Sequence, residues 1–203
     1  MNHKERMLQG LPFKPWEDGL SQERMECQKR LYRYNHLSPE AREEADALLK
    51  EIFGETGNTV RAVPPLYCDY GKNIRVGENF FANFHFTVLD SAPVTIGKNA
   101  QIAPNVSIYT AGHPLHPDPR NTGVEYGMAV TIGDNVWLGG NVVICPGVTI
   151  GDNVVIGAGS VVTKNIPSWS LAVGNPCRVL RTITQEDRKF YYRDRPFDMD
   201  PYH

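Results

Sequence analysis

The chain has 203 residues, and its 21 Lys and Arg side chains against 23 Asp and Glu side chains give a formal net charge of −2 and a sequence pI of about 6.3. This balance argues against a broad basic surface and therefore against nucleic acid as a partner. No apolar run approaches the roughly 18 residues of a membrane span, and residues 1–6 lack the apolar stretch of a secretory signal, so we expect a cytoplasmic protein without a membrane partner.

Residues 1–57 form the first predicted region, and their pattern favours helices. Ser38-Pro39-Glu40 supplies an N-cap followed by a proline at the first helical position, and Gly54 supplies a stop. The apolar residues that share one face of this predicted helix are Ala41, Ala45, Leu48, Leu49, Ile52 and Phe53. The sequence therefore predicts a charged amphipathic helix that packs its apolar face on the rest of the protein.

Residues 58–183 form the second predicted region, most of which is poor in charge. Residues 94–173 contain 7 charged side chains, whereas residues 1–61 contain 21. Such a segment must obtain its solubility from Asn, Gly, Ser and Thr, or bury part of its surface in an assembly. We therefore expect a regular structure in this region.

A six-residue repeat explains this composition. From residue 130 the chain reads VTIGDN, VWLGGN, VVICPG, VTIGDN, VVIGAG and SVVTKN, and the aliphatic residues spaced six apart are Ile132, Leu138, Ile144, Ile150, Ile156 and Val162. The same phase occurs earlier at Ile96, Ile102 and Ile108. β-Branched residues with this period, separated by Gly, Asn and Asp, predict short strands with a turn after each. Three such strands close one triangular coil of about 18 residues, so the sequence predicts an all-β solenoid, a parallel β-helix with an aliphatic column inside.

The repeat is interrupted once, and its ends need separate treatment. Ile108 and Ile132 are 24 residues apart, which is four periods, so residues 112–129 are predicted to form an extended loop that returns to the solenoid in phase. An open end of a β-helix exposes unpaired backbone and apolar core, so the helices of residues 1–57 are expected to cap it. Residues 184–203 have no strong period, and we assign them only as a C-terminal tail.

Several segments resemble those of the maltose and galactoside O-acetyltransferase group of the hexapeptide-repeat acyltransferases. They are YNH at 34–36, CDYGKNIRVGENFFANF at 68–84, IAPNVSIYTAGHPLHP at 102–117, the repeats of 130–167, and VGNPCRV at 173–179. The resemblance implies that the β-helix is left-handed, a property that the repeat by itself leaves open. It also implies an acetyl-CoA-dependent enzyme that acetylates a sugar hydroxyl, and a homotrimer with active sites between adjacent subunits.

His113 is the candidate general base. It lies in the segment AGHP at 111–114, at the start of the predicted loop, and histidine titrates in the pH range in which a hydroxyl proton must be removed. The resemblance aligns this segment with the family's catalytic histidine. Asn83, in FANF at 81–84, matches a family position near the acetyl group, where an amide would stabilise developing negative charge or orient the acceptor. An asparagine that only fixes a turn is the structural alternative.

The resemblance also implies a coenzyme site on the second half of the solenoid. Backbone amides along stacked coils can bind the pantetheine arm, and basic side chains can bind the phosphates. The residues at the matching positions are Asn83, Trp137, Gly140, Ala158, Thr163, Lys164, Arg178 and Arg181. Related enzymes often have Ser where this chain has Gly140, so only a backbone contact is expected there. Trp137 either packs against the arm or covers a neighbouring subunit.

The acceptor site is predicted from polar residues that could bind sugar hydroxyls. The candidates are Asp69, Asn83, Asp90, Ser91 and Glu17, with Asp18 as the alternative to Glu17. Some relatives have a second Asp at the position of Ser91, so the acceptor preference is expected to differ. For each acid, a solvated surface role is the alternative.

Other functions are compatible with this fold. His85, His113 and His116 suggest a zinc-dependent carbonic anhydrase, but ligands on stacked faces should differ by multiples of about 18 residues, and His85 and His113 differ by 28. We therefore predict no catalytic metal. A non-catalytic scaffold is a further alternative, and a non-sugar hydroxyl or an amine is the alternative acceptor. The cysteines, which lack a C-x-x-C pair, are predicted to be reduced packing residues: Cys27, Cys68, Cys145 and Cys177.

Overall fold

The structure is a computed structural model that describes residues 1–201, so the last two positions of the predicted tail lie outside the described residues. The helices are α1 His3–Leu8, α2 Leu20–Asn35, α3 Arg42–Ile52 and α4 Pro117–Asn121, and a 3-10 helix spans Gln185–Lys189. The strands are β1 Glu55–Thr56, β2 Val60–Ala62, β3 Leu66–Cys68, β4 Ile74–Val76, β5 Phe80–Ala82, β6 Phe86–Leu89, β7 Val94–Ile96, β8 Gln101–Ile102, β9 Ser107–Tyr109, β10 Ala111–Gly112, β11 Tyr126–Gly127, β12 Val130–Ile132, β13 Trp137–Leu138, β14 Val143–Ile144, β15 Thr149–Ile150, β16 Val155–Ile156, β17 Val161–Val162, β18 Ser170–Val173, β19 Arg178–Thr182, β20 Phe190–Tyr192 and β21 Arg195–Pro196. Across residues 1–201, every helix is too short or too polar to cross a membrane.

Most strands stack into three sheets that form the sides of a triangular solenoid. The first sheet has the order β1-β4-β7-β12-β15, the second has the order β19-β18-β16-β13-β8-β5-β2, and the third has the order β17-β14-β9-β6-β3. From β1 to β9 and from β12 to β18, successive strands lie in different sheets, so each full coil contributes one strand to each side. The strands pair in parallel within these sheets, except that β19 joins the second sheet antiparallel to β18. The β-helix predicted from the repeat is confirmed.

The strand register reveals coils of different lengths. In the later coils, paired residues are 18 positions apart, as for Trp137 with Val155, and in the last coil they are 16 positions apart, as for Val155 with Leu171. In the earlier coils they are 20 positions apart, as for Val60 with Phe80. The first coils are therefore two residues longer than the expected length of about 18. The extra residues lie between the strand of each coil in the third sheet and the following strand in the first sheet.

These insertions all lie at one corner of the triangle. We name the corners after the sheet that precedes them in the chain: the first corner is residues 57–59, 77–79, 97–100, 133–136 and 151–154; the second corner is residues 63–65, 83–85, 103–106, 139–142 and 157–160; the third corner is residues 69–73, 90–93, 110–129, 145–148 and 163–165. The third corner contains both the early two-residue insertions and the predicted long loop. A corner can lengthen in this way because its backbone lies outside the ladders of the sheets.

Inward-facing aliphatic side chains fill the solenoid. The residues spaced six apart from Ile132 to Val162 are at most 1% exposed, as their period predicts. At the N-terminal end, aromatic rings complete the column, and the centroid of the Phe80 ring lies 6.4 Å from that of Phe53 and 6.0 Å from that of Phe86. Removal of this apolar surface from water, at about 25 cal/mol per Å², supplies the main stabilisation of the coils.

Asparagines form a hydrogen-bonded ladder along the first corner. Asn79, Asn99, Asn135 and Asn153 have φ angles between 57° and 59°, a left-handed conformation that Asn adopts more readily than most residues. The Nδ2 group of each donates to Oδ1 of the next, at distances of 2.8–3.0 Å. The recurrent Asn of the repeat is therefore required both by the backbone and by its neighbours.

Helix α2 caps the open N-terminal end of the solenoid. The Asn35 amide accepts from the backbone N–H of Leu66 at 2.8 Å and donates to its carbonyl oxygen at 2.9 Å, and Gln28 donates to the carbonyl oxygen of Cys68 at 3.0 Å. Because β3 is the edge of the third sheet, these side chains replace a missing neighbouring strand. The Cys27 and Cys68 sulfur atoms lie 3.6 Å apart as separate thiols, and both residues are buried.

The start of α3 differs from the prediction. The helix begins at Arg42, and Ala41 is an N-cap without a side-chain hydrogen bond. Ser38 and Pro39 instead belong to a turn in which the Ala41 N–H donates to the Ser38 carbonyl oxygen at 2.9 Å. The Ser38 hydroxyl accepts from the Glu40 N–H at 3.3 Å, so the predicted cap at Ser38 is wrong. Serine hydroxyls stabilise such local turns as well as helix ends, and here the turn is formed.

Candidate active site

Three consecutive coils bring most of the predicted acceptor residues and the predicted base to the third corner. Asp69 follows β3, Asp90 and Ser91 follow β6, and His113 follows β9 and β10. These points are stacked, because β3 pairs with β6 and β6 pairs with β9. Residues that are distant in the sequence are thus neighbours along one edge of the solenoid.

The long loop leaves and returns through a short antiparallel pair. Strands β10 and β11 pair with Gly112 opposite Tyr126. A side chain at Gly112 would place its Cβ 2.6 Å from the Tyr126 ring, and one at Gly127 would place its Cβ 2.8 Å from the Ser91 carbonyl oxygen. The two glycines therefore allow the base of the loop to pack directly on the preceding coil, and His113 follows directly from this base.

Asp90 is fully buried and supports the third corner from within. Its Oδ1 accepts from the backbone N–H groups of Asp69 at 3.0 Å and Tyr70 at 2.9 Å. Burial raises the pKa of the Asp90 carboxyl to about 6, against the opposing effect of the bond from Tyr70. Its Oδ2 has no hydrogen-bond partner within residues 1–201. Asp90 thus holds the turn that carries the more exposed Asp69 carboxylate.

Two further charged residues, Arg24 and Glu125, lie at this corner, and neither is among the site residues predicted from the sequence. Burial raises the pKa of Asp69 and of Glu125, and the Arg24 guanidinium lowers both. His113 also lowers the pKa of Glu125. The available signal for Glu125 was that it is one of the few charges in residues 94–173. Arg24 lies among many charged residues of α2, and no pattern marks it.

The N-terminal segment holds the long loop in place. The Phe13 N–H donates to the Glu125 carbonyl oxygen at 2.9 Å, and the Glu125 N–H donates to the Phe13 carbonyl oxygen at 3.0 Å. Phe13 itself is buried in a small cluster with Met7, Leu20 and Tyr70. The backbone at Glu125 is therefore fixed between the loop base and the N-terminal segment.

The predicted N-terminal acceptor contacts, Glu17 and Asp18, follow this segment, and both side chains are exposed. Asp18 accepts a hydrogen bond from the backbone N–H of His3, at the start of α1. Within residues 1–201, the Glu17 carboxylate has no hydrogen-bond partner, so it is the better candidate of the two for an acceptor contact.

Asn83 lies at the second corner, away from His113. Its backbone N–H donates to the Ile102 carbonyl oxygen at 2.8 Å, and its Oδ1 accepts from the Phe84 N–H at 2.8 Å. The latter bond fixes the amide and leaves Nδ2 as its donor end. Within one chain, Asn83 and His113 are therefore separated by the width of the third sheet.

The predicted coenzyme residues of the later coils are divided between the second and third corners of the solenoid. Gly140 and Ala158 lie at the second corner, and Trp137 is 52% exposed on β13 of the second sheet. Thr163 and Lys164 are exposed at the third corner. A Cβ at Gly140 would lie 3.4 Å from the nearest backbone oxygen, so this position has room for a small side chain.

Two of the three predicted phosphate ligands, Arg178 and Arg181, lie on β19. Arg178 donates to the carbonyl oxygen of Cys177 at 2.8 Å. Arg181 holds the carboxylate of Asp187 through two hydrogen bonds of 2.9 and 2.6 Å, and these lower the pKa of Asp187 to about 2. A guanidinium that binds a carboxylate in this bidentate manner has the geometry that also binds a phosphate.

The three histidines of the zinc alternative do not share one site. His85 lies at the second corner, whereas His113 and His116 lie on the long loop. His116 caps α4 and accepts from the Asp118 N–H through Nδ1 at 3.2 Å. No group of three His, Cys, Asp or Glu side chains suited to a metal ion occurs within residues 1–201.

Known proteins share both the sequence and the fold of this chain. The maltose acetyltransferase hexapeptide capping motif matches residues 6–57, and the bacterial transferase hexapeptide motif, with six repeats, matches residues 129–164. The galactoside O-acetyltransferase of Escherichia coli (strain K12) is 47% identical over 190 residues, which covers 94% of each chain. A solved galactoside acetyltransferase in complex with coenzyme A has a TM-score of 0.95 at 45% identity and covers 98% of this chain and 100% of its own. The maltose O-acetyltransferase from Clostridium difficile 630 has a TM-score of 0.90 at 50% identity and covers 91% of this chain and 99% of its own.

Proposed function

The chain belongs to the maltose and galactoside O-acetyltransferase group of the hexapeptide-repeat acyltransferases and is an acetyl-CoA-dependent O-acetyltransferase, and we propose that its acceptor is a sugar hydroxyl. The observation that carries the proposal is the third corner, where three coils stack Asp69, Ser91 and His113 in one row. Carboxylate and hydroxyl groups in such a row suit an acceptor with several hydroxyls, because each can accept a hydrogen bond. His113, at the end of the row, would then meet the hydroxyl that reacts.

We assign His113 as the general base of this reaction. Its side chain is exposed, and histidine takes up protons near neutral pH. The acceptor oxygen attacks the acetyl carbon while its proton moves to His113. The C–S bond then breaks, and the proton on His113 passes to the departing sulfur, so the ring returns to its starting state.

We propose that the complete site forms between two subunits of a homotrimer. The Nδ2 donor of Asn83 would stabilise the oxyanion that develops on the acetyl group, yet one chain holds Asn83 and His113 at different corners. In a threefold assembly of triangular solenoids, the second corner of one chain can face the third corner of its neighbour. Leu115, which is 94% exposed on the long loop, would then be covered by that neighbour.

The coenzyme would lie between the same two subunits. The backbones at Gly140 and Ala158 would bind the pantetheine arm, with Trp137 on its flank, and Thr163 would lie towards the nucleotide end. Its phosphates would be bound by basic side chains, for which the candidates are Lys164, Arg178 and Arg181.

Acceptor binding would depend mainly on Asp69, with Glu17 from the N-terminal segment, because Ser91 is only 4% exposed. Asp90 would act from behind these residues, because it is buried and fixes the Asp69 turn. A cytoplasmic location is part of the proposal, since a reducing compartment keeps the adjacent Cys27 and Cys68 as thiols.

Release of the coenzyme A thiol, followed across an acceptor panel, tests the proposal. The panel contains maltose, glucose, a galactoside, glucosamine and a non-sugar alcohol, and we expect turnover with at least one of the sugar hydroxyls. His113→Ala should lower kcat by roughly 100-fold or more, which is the usual contribution of general-base catalysis. His116→Ala, on the same loop, is the matched control and should retain normal turnover. Turnover only with amines or non-sugar alcohols would exclude the sugar acceptor, and normal turnover by His113→Ala would exclude the base.

A further inference from the structure

The base of the long loop places a second ionisable side chain opposite His113. The pairing of β10 with β11 ends at Gly112 and Tyr126, and the same register continued by one residue places His113 opposite Glu125. The backbone N–H and C=O of Glu125 both bond to Phe13, on the far side of β11. In an antiparallel pair, both backbone groups of a residue point to the same side, so in this continued register His113 and Glu125 would occupy a position without backbone hydrogen bonds between them. Side chains in such a pair lie on one face, with Cβ atoms about 4.5–5.5 Å apart.

The surroundings of this pair favour an interaction between the two charges. Glu125 is half-buried, and burial raises the pKa of its carboxyl, whereas His113 lowers it. The other charged groups that act on this carboxyl are Arg24, which lowers its pKa, and Asp69, which raises it. Charges in a partly buried site interact more strongly than in open solvent.

Both side chains are available to each other. Within residues 1–201, neither the Glu125 carboxylate nor the His113 ring has a hydrogen-bond partner. The same loop does contain an engaged imidazole and carboxylate, because His116 lies 3.6 Å from Asp118. Hydrogen bonds between catalytic groups are often long in an unliganded enzyme and shorten when substrate binds.

We infer that Glu125 is a positioning residue, whose carboxylate accepts a hydrogen bond from the near ring nitrogen of His113 and thereby leaves the far ring nitrogen unprotonated as the base. This inference rests on the proposed role of His113. The acceptor oxygen forms the new C–O bond with its lone pair, and its proton moves to the far ring nitrogen. The C–S bond then breaks with its electron pair on sulfur, and the same proton passes to sulfur. Glu125 stays ionised and stabilises the imidazolium between these two transfers.

Steady-state kinetics of single variants of the full chain test this role. Glu125→Gln keeps the size of the side chain and removes its charge. We expect kcat to fall about tenfold, which is less than the roughly 100-fold loss expected when the general base itself is removed. The KM values for acetyl-CoA and for the acceptor should change by less than about twofold, because the residue acts through His113. Glu125→Asp, which keeps the charge, should recover part of the loss. Asp118→Asn removes the other carboxylate near a histidine of the loop and should leave kcat unchanged.

A spectroscopic measurement separates this inference from the proposed reaction. The ¹⁵N shifts of the His113 ring, measured with coenzyme A and without acceptor, report which ring nitrogen carries the proton. Glu125→Gln should change the ratio of the two neutral tautomers, and Asp118→Asn should not. If the wild type acetylates no sugar, the proposed function fails, while the tautomer ratio still tests the contact with Glu125.

Two results would overturn the role of Glu125. One is an unchanged tautomer ratio in Glu125→Gln, which would mean that the carboxylate does not act on His113. The other is a higher KM for the acceptor with unchanged kcat, which would make Glu125 an acceptor contact. Thermal unfolding of each variant separates these results from a loss of folding, and Glu125→Asp provides a second test if Glu125→Gln is unstable.

Discussion

The first and third corners of the solenoid are built from the same repeat but satisfy their polar groups in different ways. Across the first corner, inward residues keep a spacing of six, as from Ile96 to Ile102 and on the next coil from Ile132 to Leu138. Across the third corner the spacing is eight from Val88 to Ile96, and 24 from Ile108 to Ile132. The regular corner carries the Asn ladder, and the irregular corner carries the buried carboxyl and the predicted base.

This difference shows at which corner the fold can accept residues that bind or react. In a ladder, each Asn depends on identical neighbours in the coils before and after it, so an insertion in one coil would break two hydrogen bonds. At the third corner, Asp90 satisfies two backbone N–H groups of one neighbouring turn only. Each coil can therefore change length there independently, and side chains that bind or react can be added without loss of the stacking.

The largest expected effect comes from Asp90→Asn, which removes the buried charge of the third corner. The pKa of Asp90 is raised to about 6 in the folded chain, against about 4 in an unfolded chain. Because the folded state binds this proton more tightly, the stability that Asp90 contributes is full below pH 4 and is lost as pH rises through 6. The shift of two units corresponds to about 3 kcal/mol.

Urea unfolding of both proteins at one concentration, from pH 4 to pH 8, measures this effect. The free energy of unfolding of Asp90→Asn should rise relative to the wild type by about 3 kcal/mol across this range. The Asn oxygen can still accept from Asp69 and Tyr70, so the turn is kept. Parallel pH curves for the two proteins would contradict a buried, destabilised charge at this corner.

A smaller effect is expected at the first corner, where Asn135→Ala tests the ladder. Ala is strained at the φ of 57° that Asn135 adopts, and it loses the two ladder hydrogen bonds. Together these losses should lower the free energy of unfolding by about 2 kcal/mol. Asn135→Gly is the matched control, because it loses the same bonds without the strain and should cost about 1 kcal/mol. Normal kcat is expected for both, and a loss of activity would remove the proposed division between the corners.

The sequence predicts the regular part of the fold well because the same physical requirement recurs in every coil. Ile132 and its successors must be apolar to fill the column, and Asn135 must tolerate a left-handed backbone, so both leave a periodic signal. The two-residue insertions after β3 and β6 leave none, since each of those turns is stabilised by its own contacts. The start of α3 was misplaced for a similar reason, because Ser38 suits a turn as well as a helix cap.

The candidate site was predictable only in part. His113 and Asp69 belong to segments that resemble a known family, and the resemblance alone indicated them. Glu125 comes next to His113 through the antiparallel pairing of β10 with β11, and Arg24 reaches the same place from α2. Such contacts depend on tertiary structure, and neither composition nor spacing records them.

The link between the third corner and catalysis can be sharpened with Gly112→Ala. The added Cβ would lie 2.6 Å from the Tyr126 ring, so the ring or the loop base must shift next to His113. We expect kcat to fall about tenfold, which corresponds to about 1.4 kcal/mol of transition-state free energy. In the double variant with Tyr126→Leu, which removes the obstructing ring, the effect of the added methyl group should be smaller than in the wild type. Equal effects in both backgrounds would mean that Gly112 acts by another route.

The smallest effect is expected after the last coil, at Asp187, whose carboxylate occupies the Arg181 guanidinium. If Arg181 binds a coenzyme phosphate, that phosphate must displace Asp187, so Asp187→Asn should lower the KM for acetyl-CoA. An exposed ion pair is weak and screened by salt, so the decrease should be about threefold and should shrink as salt is added. Arg181→Ala is the control, and in that background Asp187→Asn should have no further effect. A KM that rises in Asp187→Asn would mean that the carboxylate orients Arg181 for the phosphate instead of competing with it, and the coenzyme site would then extend into the C-terminal tail.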